Sequence, residues 1–148
     1  MRRRLRRFGA ERGGATAVEF AIVLGPLLLV IFGVFEFGRL LWTREALQET
    51  ATAGARCMGM SATSCAAGGV YSAANATTYV EGVATNWGVT LAGADIALNN
   101  NTTCASVSAP NGFSSVTITY TFNSVAPNFI TALAGGTTLT TTACFPNY

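Results

Sequence analysis

The sequence contains no histidine and no lysine, and charged residues make up only 11% of its 148 residues. An ordinary soluble domain has about 25% charged residues. Beyond Arg56 the only charged side chains are Glu81 and Asp95, whose wide spacing does not indicate a catalytic pair. Serine and threonine are abundant, but no such nucleophile has a recognisable base nearby in sequence. The composition therefore argues against an enzyme, and we expect no cofactor.

The chain has no histidine, and its four cysteines form no CxxC pair. Both absences argue against a metal site. All four cysteines follow the apolar segment described below, which fits export to an oxidising compartment. Three pairings are open, and four buried free thiols are a further alternative. We favour Cys57–Cys65, which closes a short loop after a helix, and Cys104–Cys144, which would tie a loop to the last strand.

Basic charge is concentrated at the N-terminus, where six of the nine basic residues stand at positions 2, 3, 4, 6, 7 and 12. These arginines directly precede an apolar run, so the positive-inside rule places the N-terminus in the cytoplasm. Nucleic-acid binding is the alternative. Because a topology signal is the commoner role of arginines before an apolar helix, we expect no nucleic-acid partner.

A glutamate lies at the entrance to the apolar run. Gly13 and Gly14 are followed by Ala-Thr-Ala-Val-Glu-Phe, and apolar residues then continue through Phe35. An acid at that depth is costly and indicates a function for Glu19. The stretch directly after the run, from Phe35 to Trp42, contains no Ala-x-Ala sequence, which argues against a conventional secretory signal. A cut between Gly14 and Ala15 would make Glu19 the fifth residue and leave three arginines and six acids.

This N-terminal pattern resembles that of type IV prepilins. The sequence Glu36-Phe37-Gly38-Arg39, followed by Leu-Leu-Trp, narrows the resemblance to the TadE-like minor pseudopilins of tight-adherence (Flp-type) pili. The resemblance implies cleavage after Gly14 by a prepilin peptidase. It also implies a role in assembly for Glu19 and the adjacent Phe20, in which the carboxylate pairs with the new α-amine of a neighbouring subunit. The alternative is that Glu19 only marks the lipid–water interface.

The resemblance further implies partners and a location. The partners are the prepilin peptidase, other pilin-like subunits, the pilus assembly machinery and membrane lipid. The expected location is the inner membrane, crossed once, with a cytoplasmic N-terminus and a periplasmic or extracellular C-terminal domain, or the pilus itself.

A helix is predicted without interruption from Thr16 to about Arg56. Its length of about 60 Å is twice the ~30 Å hydrocarbon core, so we expect residues 20–42 or so to span the membrane. Pro26 should kink the helix or loosen one turn. Glu36 and Arg39 are spaced to form an ion pair at the outer membrane interface, near Trp42.

The rest of the helix is predicted to pack on the chain's own domain in preference to another helix. The residues on its apolar stripe are Leu40, Leu47, Ala51 and Gly54. The segment boundaries that follow are a basic leader over residues 1–14, a long hydrophobic helix over 15–57 and an exported domain over 58–148.

The exported domain is predicted to be α+β, with a short helix and an antiparallel sheet beside the long helix. We expect a loop over residues 58–69, a helix over 71–87, a first strand over 89–98, a turn at Asn99-Asn100-Asn101, a strand over 116–122, a connection over 127–136 with a helical turn at 129–133, and a last strand over 137–145. The strand over 116–122 carries the clearest pattern, because apolar residues alternate with threonines.

Three functional hypotheses follow. The leading one is a minor pseudopilin or membrane-anchored assembly component, whose helix packs with other pilin-like helices through small residues such as Gly33 and Gly38. Its domain of about 90 residues favours the minor role, since the resemblance implies that major pilins are much shorter. The second is a membrane-anchored module that binds a surface or glycan outside any filament. The third is a secreted domain released by a cut within residues 46–55.

Overall fold

The computed structural model describes residues 13–105, 107 and 109–148. Its elements are α1 (Gly13–Gly59), β1 (Ala66–Ala67), β2 (Val70–Tyr71), α2 (Ala73–Asn86), β3 (Ile96–Thr102), β4 (Phe113–Thr121), α3 (Pro127–Ala134) and β5 (Thr138–Pro146). A single 3₁₀ turn, Gly93–Asp95, precedes β3. This arrangement of one long helix, short helices and antiparallel strands confirms the predicted α+β class.

The long helix α1 runs over 47 residues and includes all of the predicted span. Pro26 lies inside α1, and the helix continues on both sides of it. After Gly59 the chain leaves the helix, and Ser61 adopts a left-handed conformation with φ of 46°. Among the described residues, α1 is the one helix that is long and apolar enough to cross a membrane.

The outer half of α1 forms the base of the hydrophobic core, as the apolar stripe predicted. Leu47, Ala51 and Ala55 are at most 1% exposed. They pack with buried residues of α2 and β4, namely Ala76, Val80, Ala84, Val116 and Ile118. Small residues on α1 let these elements approach closely, so the helix packs on its own domain.

The main sheet has three antiparallel strands in the order β3-β4-β5. The register between β4 and β5 is regular over all nine residue pairs, from Phe113 opposite Pro146 to Thr121 opposite Thr138. Val116 and Ile118 are fully buried, and the alternating Thr117, Thr119 and Thr121 are less buried. This confirms the period-two pattern from which β4 was predicted.

The structure corrects the prediction for the segment before β4. The first strand begins at Ile96, since residues 89–92 are irregular and residues 93–95 form the 3₁₀ turn. The three asparagines predicted as a turn lie inside β3. A register shift between Asn99 and Thr102 accommodates them at the sheet edge. Pairing with β4 therefore overrides the low strand propensity of asparagine.

The structure also corrects the predicted loop over residues 58–69. Strand β1 lies within that range and pairs with β2 as a small antiparallel hairpin, with Ala66 opposite Tyr71. Gly68 and Gly69 form its turn with φ of 61° and 80°. The backbone freedom of glycine explains why this turn can form, but a pair of two-residue strands gives no periodic signal.

The remaining short helices follow the expected pattern. Helix α2 begins after Ser72, whose hydroxyl accepts a hydrogen bond from the amide of Asn75. Helix α3 covers and extends the predicted helical turn, with Pro127 in its first turn and Gly135 at its end in a left-handed conformation. The start of α2 and both ends of α3 therefore carry recognised helix start or stop signals.

Two disulfides close the domain in the pairing that the sequence favoured. Cys57 and Cys65 have Cα atoms 5.9 Å apart and join the end of α1 to the residue before β1. Cys104 and Cys144 have Cα atoms 6.4 Å apart and tie the loop after β3 to β5. The described cysteines include no free thiol.

A glycine in α1 provides a test of the core. A methyl group added at Gly54 would lie 2.6 Å from Cγ2 of Val80 and 3.2 Å from Cγ2 of Val116, which are both fully buried. We expect Gly54→Ala to lower the free energy of unfolding by about 1 kcal/mol or more, because overpacking outweighs the better helix propensity of alanine. Denaturant unfolding of the full chain in mild detergent, followed by tryptophan fluorescence, measures this change.

Gly82→Ala in α2 is the matched control. No atom lies within 4 Å of a methyl group added there. Helix propensity alone then applies, and we expect stabilisation of up to about 1 kcal/mol. The same sign of change for both variants would contradict the packing described for Gly54.

Candidate functional site

The first turns of α1 carry the residues predicted to be processed and to direct assembly. Gly14 lies in the helix, and no atom of the described residues lies within 4 Å of a methyl group added to it. Glu19 is exposed, and the side chain of Phe20 is 65% exposed. The arginines of the predicted leader lie outside the described residues.

Positions 17–35 form a bare segment that is apolar apart from Glu19. At 1.5 Å per residue it extends about 28 Å, close to the ~30 Å thickness of a hydrocarbon core. Apart from the half-buried Leu24, its large apolar side chains are between 41% and 75% exposed. They are Val18, Phe20, Ile22, Val23, Leu27, Leu28, Leu29, Val30, Ile31, Phe32, Val34 and Phe35. Exposure of such a surface to water is unfavourable, whereas contact with lipid or with other apolar helices is favourable.

The predicted ion pair of Glu36 and Arg39 forms at the outer end of this segment. The Arg39 Nη1 atom lies 2.6 Å from Oε1 of Glu36. The Glu36 side chain is only 12% exposed, compared with 56% for Arg39. Because the Glu36 carboxylate is largely shielded from water, the pair differs from an ordinary ion pair on a helix surface.

Glu36 joins α1 to the domain that follows it in the chain. Its Oε2 atom accepts hydrogen bonds from the hydroxyl of Ser124, at 2.8 Å, and from the amide of Val125, at 3.3 Å. The amide of Ala126 donates in turn to the Ser124 hydroxyl. The loop between β4 and α3 is thereby held against the helix, and we call this set of contacts the junction.

Arg39 contributes to the same junction. Its guanidinium carbon lies 5.2 Å from the centroid of the Phe122 ring, within range of a cation–π interaction. Phe122 is 4% exposed and packs with Leu40 and Ile130 in a small second core. Both members of the predicted pair therefore contact the segment that connects β4 to α3.

Sequence reasoning missed the domain side of the junction. Glu36 and Ser124 are 88 positions apart, so no local pattern relates them. The one signal is that Ser124 stands shortly before a proline, where a hydroxyl commonly accepts from a nearby backbone amide. That signal indicates a turn and does not identify its partner.

The two tryptophans of the chain meet close to the junction. The ring centroids of Trp42 and Trp87 lie 5.8 Å apart, with the ring planes inclined by 62°. This edge-to-face geometry is one that aromatic pairs prefer. Trp42 was predicted to lie at the membrane interface, and the fold places a second tryptophan beside it.

The small residues predicted to favour helix packing differ in their surroundings. An added methyl group at Gly38 would meet no atom within 4 Å, so this position of α1 is open to a partner. Gly33 is half-buried.

In the part of the chain that the structure describes, no group of three or more histidine, cysteine, aspartate or glutamate side chains could hold a metal ion.

The junction predicts coupling between Glu36 and Ser124. Because hydrogen bonds to charged groups are worth about 1.5–3 kcal/mol, less where water has access, we expect a coupling energy of about 1 kcal/mol. The measurement is a double-mutant cycle of Glu36→Gln and Ser124→Ala on the unfolding of the full chain in detergent. Glu49→Gln, an exposed acid on the same helix, is the control. Additive effects of the two junction variants would contradict the coupling.

Comparison with known proteins supports the interpretation of α1. Residues 14–56 match the family model described as TadE-like protein. Comparisons with curated proteins and with solved structures gave no match. The matched span covers less than a third of the chain and lies within α1. The predicted resemblance is thus confirmed for this helix: residues 14–56 are similar to the TadE-like proteins.

Proposed function

We propose that this chain is a minor pseudopilin, or a membrane-anchored assembly component, of a tight-adherence pilus. The observation that carries the proposal is the coincidence of the TadE-like match with a helix whose inner half is bare and whose outer half is packed. A prepilin peptidase would cut after Gly14 and leave α1 attached. The helix would then assemble with pilin-like subunits while the exported domain stays outside.

The charges near the bare segment support a role for Glu19 in assembly. After a cut at Gly14, the first arginine of the mature chain is Arg39, about 30 Å away along the helix axis. The new α-amine at Ala15 is then the basic group nearest to Glu19 in the chain. A carboxylate in lipid needs a positive partner, and the amine of the same or a neighbouring subunit supplies one.

Several features support an orientation with the domain outside the cytoplasm. The arginines precede α1 in sequence, which favours a cytoplasmic N-terminus. Both disulfides lie in the domain after the bare segment, and disulfides persist in oxidising compartments. The proposed location is the inner membrane, crossed once, or the pilus.

The structure disfavours release of the domain by a cut within residues 46–55. Leu47, Ala51 and Ala55 are core residues, so a cut there would remove one wall of the core. A stable soluble fragment that starts in this stretch is therefore not expected. The alternative that remains in competition is an uncleaved, membrane-anchored module that binds a surface or glycan.

The first prediction concerns the mature N-terminus. We expect a chain that starts at Ala15 when the protein is expressed with a prepilin peptidase, and one that starts at Met1 without it. Mass spectrometry of the membrane-extracted protein gives both values. Gly14→Leu, which alters only the residue before the cut, should abolish the shorter form. A start at Met1 under both conditions would favour the anchored binding module.

The second prediction concerns assembly. We expect the Glu19→Ala variant to be cleaved normally. The amount of pilin-like subunits that co-purifies with it from detergent extracts should fall more than tenfold relative to the wild type, since an unpaired amine or carboxylate in lipid is costly. Quantitative co-purification from cells that express the whole pilus system measures the recovery. Glu45→Ala, an exposed acid in the outer half of α1, serves as the control. Equal recovery of the two variants would contradict the assembly role.

A further inference from the structure

The exported domain packs beside α1 at the level where the helix would leave the membrane. The bare segment ends at Phe35, and the first domain contacts lie at Glu36 and Arg39. The Cα atom of Trp42 lies about 10 Å beyond that of Phe35 along the helix axis. Because helical side chains lean back toward the N-terminus, the indole ring of Trp42 lies within the headgroup layer, which is ~5–8 Å thick. Domain residues at the same level must therefore lie at the height of the headgroups.

Three exposed apolar side chains at this level, one from α1 and two from the domain, form an apolar rim. We define the rim as Trp42, Trp87 and Val125, which are 60%, 39% and 87% exposed. Trp87 follows the end of α2, and Val125 lies in the junction loop, so three separate parts of the chain contribute. Exposed apolar side chains at one level of a membrane-anchored protein indicate a surface that contacts lipid.

A groove opens from the rim onto the bare segment. It has a volume of about 500 Å³ and lies between α1 and the ends of α2 and β4. Val34 and Phe35 line its lower end, and Trp42 and Trp87 line its upper end. The apolar surface of the groove is thus continuous with the surface that the proposed function places in lipid.

The charge that lines the groove is balanced. Among the described groove-lining residues, Arg39 is the one with a charged side chain, and it is paired with Glu36. Tryptophan prefers the membrane–water interface because its ring is apolar while its N–H can donate to the headgroup region. A neutral, tryptophan-containing rim fits a zwitterionic lipid surface and does not require anionic lipid.

We propose that the exported domain docks on the bilayer that holds α1, with the rim inserted into the outer headgroup layer and lipid filling the groove. This inference rests on the proposed membrane anchor and adds that the domain itself is a lipid-contacting element. Docking would fix the tilt and rotation of the domain relative to the membrane before any subunit joins it.

The two tryptophans allow a direct test in the full chain. Trp87→Phe leaves Trp42 as the sole reporter of the anchor, and Trp42→Phe leaves Trp87 as the sole reporter of the domain. A third reporter, Tyr148→Trp in the double phenylalanine background, lies near Gly59, about 25 Å beyond Trp42 along α1. Each variant is reconstituted in phosphatidylcholine vesicles after its unfolding midpoint has been checked against that of the wild type.

The measurement is quenching by nitroxide-labelled lipid, with the label on the headgroup, high on the acyl chain or near the chain end, and by aqueous acrylamide. We expect the headgroup and high-chain labels to quench Trp42 and Trp87 to within about twofold of each other. The reporter at position 148 should be quenched at least fivefold less by lipid labels and strongly by acrylamide. Adding phosphatidylglycerol should leave the Trp87 result unchanged.

The outcomes separate the inference from the function on which it rests. Quenching of Trp42 by lipid, with Trp87 behaving like position 148, would retain the anchor and overturn docking. Absence of lipid quenching at both tryptophans would remove the anchor and docking together. Protection of Trp87 from lipid and acrylamide only at high protein density would show that another copy covers the rim, which also overturns lipid docking.

Discussion

The apolar contact between the outer half of α1 and the rest of the folded domain is the interaction on which this fold depends. Leu47, Ala51 and Ala55 have almost no exposed surface, and Gly54 lets Val80 and Val116 approach the helix backbone. The sheet has three main strands and could not bury one face without this helix. The helix that carries the bare segment is thus also a wall of the core.

This double use of α1 leaves little freedom between the bare segment and the domain. The apolar stripe holds the domain along the outer half of the helix, and the junction at Glu36 holds it at the point where the bare segment ends. One contact set is apolar and the other is polar, so they act through different forces. A partner that binds the bare segment would therefore also set the position of the domain, because no loop separates the two.

The domain beyond the bare segment compensates for its small size with covalent links. Few charged side chains occur after Arg56, so surface ion pairs contribute little. The two disulfides restrict the unfolded chain, one across 8 positions and the other across 40. Small exported domains commonly rely on such links because their cores are limited.

The sequence by itself determined the features that depend on neighbouring residues. Apolar length predicted α1, alternation predicted β4, and the spacing of Glu36 and Arg39 predicted their ion pair. Residues 14–56 were enough to reveal the TadE-like resemblance. These signals are local, because helix and strand periodicity and side-chain spacing are expressed within a few turns or residues.

Only the tertiary structure decided which distant groups meet. The burial of Glu36 by Ser124, the contact between Trp42 and Trp87, and the inclusion of Asn99–Asn101 in β3 all depend on chain segments far apart in sequence. Strand pairing satisfies backbone groups whatever side chains a strand carries, so it overrode the asparagine signal. Long-range contacts leave no spacing to read, and the junction was therefore visible only once the chain had folded.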